Sequence, residues 1–163
     1  MITEQAVRSP KTLLKSVLLL SVAMSTAVFL FIVVAIVVVD SVKADSGFFK
    51  TNEHILIGMT AVVSFGILIV ARGLFFKKIA VAKNSLNLLT GKLTGYRNAL
   101  TVYLACCEGP ALVNTILFMF SGQFIFLAFA GAFLGCMLAA LPLKRRVVAS
   151  LDLDWNEQKE FDR

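Results

Sequence analysis

SVLLLSVAMSTAVFLFIVVAIVVV, Ser16 to Val39, contains no charged residue. A helix needs roughly 20 mostly apolar residues to cross a bilayer, and this run exceeds that. It is apolar all round, as a span facing lipid should be, with no polar stripe for water. Ser21, Ser25 and Thr26 are its polar handles, and their hydroxyls can bond back to helix carbonyls. A signal peptide has an apolar core of about 7–15 residues. This core is longer, although Val42-Lys43-Ala44 loosely imitates a cleavage site.

Three more apolar runs follow. His54 to Phe76 is broken only by Arg72, Asn98 to Phe120 only by Glu108, and Phe124 to Leu141 not at all. Composition agrees, at 58% hydrophobic and 16% charged, with mean hydropathy +0.85. A soluble domain carries about 45–50% apolar and about 25% charged residues. The expected fold is all-α: residues 1–163 form a single membrane domain with four transmembrane helices. The spans fall at about 16–39, 54–76, 97–120 and 124–141, and residues 147–163 form a short acidic tail.

Charge orients the spans, because Lys and Arg accumulate on cytoplasmic loops. In the four-span reading, 14 of the 16 basic residues lie on one side; only Lys43 and Lys50 lie on the other. Both termini are therefore expected in the cytoplasm. The net charge of +6 reads as an orientation signal, with no nucleic-acid signature in it. The expected location is a bacterial inner (cytoplasmic) membrane, crossed several times.

Cys106, Cys107 and Cys136 all fall inside predicted spans, where a disulfide framework is not expected. His54 is the only histidine, at the outer edge of the second span, so no metal is expected. Asp152, Asp154 and Asn156 imitate the start of a calcium loop. Its glycine is replaced by Glu157 and its closing glutamate by Arg163, which rejects calcium. No cofactor is expected.

Connections read from local chemistry. After Lys77-Lys78, the stripe Ile79, Ala82, Leu86 and Leu89 continues at helical spacing. It fits either a surface helix or a longer second helix packed on its neighbour. TGKLTGYR, 90–97, reads as a stop and restart. Ser121-Gly122-Gln123 reads as a tight hairpin, Pro142 as the end of the fourth span, and Asp154 to Glu157 as a capping box.

The third span raises the chemical question. YLACCEGPALVNTILFMF, 103–120, holds Glu108 followed by Gly109 and Pro110. In a helix from Tyr96 to Phe120, Glu108 lies about 18 Å from either end. An aspartate at the centre of a span costs about 2.5–3.5 kcal/mol, and glutamate should be similar. Pro110 removes an N–H and frees the carbonyl of Cys106, so a kink is expected beside the acid. Glu108 shares a face with Thr101, Ala105, Leu112 and Thr115, and Asn114 is the nearest amide. Arg72 lies about 10 Å from the centre of the second span. Snorkelling to the headgroups is favoured over a pair with Glu108. Buried polar or proton-site candidates are thus Glu108, Arg72, Asn114 and Thr115. In the fourth span Gly131, Gly135 and Ala139 form a small ridge expected to support close helix packing, with a partner inside this chain slightly favoured.

KLTGYRNALTVYLACCEGPALVNTILFMFSGQFIFLAFAGAFL, then a proline, basic residues and LDLDWNEQ, resembles an uncharacterised family of small bacterial four-helix inner-membrane proteins. Lys92, Tyr96, Arg97, Glu108, Gly109, Pro110, Pro142 and Asp152 occupy the matching positions. The resemblance covers roughly the C-terminal half and implies architecture without an activity. A weaker likeness is to rotary ATPase c subunits, which also use a membrane carboxylate. This chain departs from them: its first two spans lack the dense glycine pattern, and Arg97 stands close before Glu108.

The preferred expectation is a non-enzymatic integral membrane protein, an accessory or assembly component, with a neutral, hydrogen-bonded Glu108. The alternative is an oligomer that moves protons or cations through Glu108. The expected partners are the lipid bilayer and a homo-oligomer or larger membrane complex.

Overall fold

Long apolar runs should give long helices, and they do, even where glycines or Pro110 fall inside them. The computed structural model describes residues 10–41, 53–83, 89–155 and 158–159. Five helices carry these residues: α1 Pro10–Ser41, α2 Glu53–Lys83, α3 Leu89–Ser121, α4 Phe124–Ala139 and α5 Lys144–Leu151. The first three are long and apolar enough to cross a membrane. The fourth has 16 residues, about 24 Å at 1.5 Å per residue, short of a hydrocarbon core of about 30 Å. It reaches span length only if α5 is counted with it, across a bend of 77°.

Helix α3 is the hub and packs on each of the other four. Its buried residues Leu93, Tyr96, Leu100, Leu104 and Cys107 join Val17 and Val28 of α1, Ile79 of α2, and Phe133 and Met137 of α4. A smaller cluster at the other end joins Ala35, Phe118 and Phe126. Large side chains also cover the outside: Val62 is 74% exposed, Ile69 71% and Leu19 72%. Burying a side chain of this size is worth roughly 1.5–3 kcal/mol. Such a surface is suited to lipid.

Helix α2 does outrun its span, reaching Lys83. Ile79 and Ala82 are buried against the bundle, which favours the longer packed helix over a surface helix; Leu86 lies outside the described residues. The stop and restart at TGKLTGYR is not found, because α3 starts at Leu89 and runs through Gly91 and Gly95. Gly95 serves packing. A Cβ there would stand 2.7 Å from the Cβ of Ala82, so its absence lets α2 and α3 approach.

The hairpin forms as expected. Gly122 takes φ +68 and its N–H donates to the Phe118 carbonyl at 2.8 Å, a glycine-terminated helix end. The tail differs from expectation. Leu143 to Leu151 turns back over the bundle, burying Val147, Leu151 and Leu153 in the core. Asp152 closes α5 in a left-handed conformation, which aspartate tolerates better than most residues. Within the expected capping box, the Trp155 N–H donates to Asp154 Oδ1 at 2.9 Å; Glu157 lies outside the described residues, as does the outer loop 42–52.

Candidate functional site

Polar side chains inside an apolar bundle must find partners, and their partners separate the candidates. Asn114 is buried on the α2 side of α3. Its amide donates to Ser64 Oγ of α2 at 3.2 Å and to the Pro110 carbonyl at 2.8 Å. Its Oδ1 has no partner among the described residues. Thr115 is buried and its hydroxyl donates to the Ala111 carbonyl at 2.8 Å. Pro110 sits inside an unbroken α3, with both these bonds made one turn beyond it.

Glu108 is half-buried, not buried as expected. At 100° per residue it stands about 140° around α3 from Tyr103 and about 120° from Asn114. Tyr103 packs on Phe75 of α2 at 5.5 Å between ring centroids, so Glu108 faces away from α2. The expected hydrogen bond to a neighbouring helix is absent among the described residues. Arg72 of α2 is exposed and makes no ion pair with it. Gly109, next to the acid, has nothing within 4 Å of where a Cβ would stand. Among the described residues, no hydrogen bond joins Glu108 to Asn114 or Thr115.

The small ridge of α4 faces outward. Gly131, Gly135 and Ala139 are exposed, and nothing lies within 4 Å of a Cβ built on either glycine. The buried face holds Phe126, Ala130, Phe133 and Met137 instead. Among the described residues, Gly131 and Gly135 therefore meet no partner inside this chain, which the sequence slightly favoured.

One site was not anticipated. A cleft of about 370 Å³ lies between α2, α3, α4 and α5, lined by Arg72, Phe75, Tyr96, Tyr103, Arg146 and Ser150, among others. Phe75 stacks edge-on to Tyr96 at 6.4 Å. Arg72 lies within electrostatic reach of Tyr103, and Arg146 of Tyr96. The bend before α5 brings Arg146 back to the bundle. In sequence, Arg146 reads only as one of a basic cluster; the spacing of Val147 and Leu151, one apolar turn apart, was the available signal that α5 docks.

No family model, curated protein or solved structure matches the chain.

Proposed function

We propose that this chain is a non-enzymatic integral membrane protein, an accessory or assembly component that works by lateral helix packing, first with a second copy of itself. One observation carries the reading: Gly131 and Gly135 on α4 are open to approach. In lipid, small residues let backbones come close and gain dispersion contacts. Half-buried Glu108, unpartnered among the described residues, offers a group that a helix from outside the chain can satisfy. The concentration of basic residues at the α2–α3 and α4–α5 ends supports a cytoplasmic face there, in a bacterial inner membrane.

The test is mass in lipid nanodiscs. The wild-type chain of 17.8 kDa is expected at a multiple of its own mass, and the Gly131→Leu, Gly135→Leu double variant as a monomer. A wild type that stays monomeric at every protein density overturns self-association.

A second reading, proton or cation translocation by an oligomer, is favoured by the same unpartnered Glu108. Liposome flux separates the two. Flux in wild type that is lost in Glu108→Gln supports translocation; no flux in either supports the packing role.

A further inference from the structure

We infer that the Arg72–Arg146 cleft binds the phosphate headgroup of an anionic phospholipid. The inference rests on the bilayer reading of the chain, but not on self-association.

Arg72 of α2 and Arg146 of α5 line one cleft, and among the described residues no Asp or Glu lines it. Neither arginine has an ion pair among the described residues. Two cations lining one cleft attract an anion together more strongly than either does alone. Guanidinium matches phosphate oxygens through paired N–H donors. Both arginines are exposed, so their charges remain hydrated and reachable. Tyr96, Tyr103 and Ser150 also line it. The volume, about 370 Å³, lies in the range of small-ligand sites, roughly 300–1,000 Å³.

The apolar lining selects a lipid over free phosphate. Phe75, Phe76, Ala139 and Ala140 border the same space, and a soluble anion has no use for them. They sit at the basic end of the bundle, where Lys77 and Lys78 follow the span of α2. A headgroup can meet the two arginines while its chains follow the apolar surface. Basic pockets between transmembrane helices at the cytoplasmic side bind anionic headgroups for this reason.

The experiment uses the full chain in nanodiscs of phosphatidylcholine and phosphatidylglycerol, with retained lipid identified by native mass spectrometry. Phosphatidylglycerol should be retained preferentially by wild type. Preference should fall about fivefold in Arg72→Gln or Arg146→Gln, and about thirtyfold in the double variant. Arg145→Gln, beside the cleft but not lining it, should leave the preference nearly intact. Millimolar inorganic phosphate should not displace the lipid; displacement by phosphate alone would overturn the lipid assignment in favour of a soluble anion. Equal retention of both lipids by a correctly inserted, helical wild type overturns the site and leaves the bilayer reading standing. Unchanged preference in the helical double variant also overturns it. Failure of the wild-type chain to insert would contradict the bilayer reading, and the site with it.

Discussion

Asn114 on α3 donates a hydrogen bond to Ser64 on α2, 3.2 Å away and 50 residues earlier in the chain. Both side chains are buried, so the bond fixes how two apolar helices meet. Apolar packing in lipid discriminates weakly between rotations of a helix, because lipid tails are as apolar as leucine. A single polar pair can set the rotation. In a double-mutant cycle with Asn114→Ala and Ser64→Ala, the expected coupling is about 0.6 kcal/mol, with about 1.7 kcal/mol as the upper range for such bonds. Reversible unfolding in bicelles measures it. Strictly additive losses would show that the pair contributes no specific energy.

Gly95 and Ala82 make the second prediction. Adding a methyl at Gly95 meets the Ala82 Cβ at 2.7 Å, so Gly95→Ala forces α2 and α3 apart. Overpacking of this kind costs about 1–3 kcal/mol. Ala82→Gly should recover most of the loss by vacating the same space. A Gly95→Ala protein as stable as wild type would mean that the two helices shift apart freely.

Glu108 behaves differently under the proposed reading. Without a partner among the described residues, its side chain holds no intrachain bond to lose. Glu108→Gln and Glu108→Ala should each change the stability of the isolated monomer by less than about 0.5 kcal/mol. Thermal unfolding at high lipid-to-protein ratio checks this. A loss confined to the Ala variant would revive the expected hydrogen bond to a neighbouring helix.

Helix α5 should release before the bundle does. Val147 and Leu151 are fully buried, at 0% and 1% exposure, on a helix of only eight residues. Burying an aspartate at either position is strongly unfavourable. Val147→Asp should therefore undock α5 while leaving the apolar bundle helical. Faster trypsin cleavage at Lys144 to Arg146, with unchanged far-ultraviolet dichroism, is the expected result. Unchanged cleavage would contradict the docking of α5.

Much of the helical frame was legible because charge-free runs such as Ser16–Val39 leave little choice. Rotation was not. In water, a polar face opposite an apolar face tells which way a helix looks; in α4 both faces are apolar, so Gly131 and Phe133 give no contrast. Space decides instead, and space depends on neighbours that sequence does not reveal. The start of α3 escapes local reading for a related reason. Gly91 and Gly95 look like helix breakers in isolation, yet Gly95 is present where α2 comes close. The acidic composition after Leu151 concealed Leu153, which joins the core. Glu108 was legible as an unusual residue, but its partners were not, since a side chain's surroundings follow from rotation.

Cysteine cross-linking along α4 tests the central claim most directly. Cys106, Cys107 and Cys136 are replaced by alanine, and single cysteines are then placed from Phe126 to Ala139 and oxidised in native membranes. The account predicts dimers at Gly131, Gly135 and Ala139, with minima at the buried positions Ala130, Phe133 and Met137. Absence of dimers along the whole helix, or maxima at the buried positions, would contradict it.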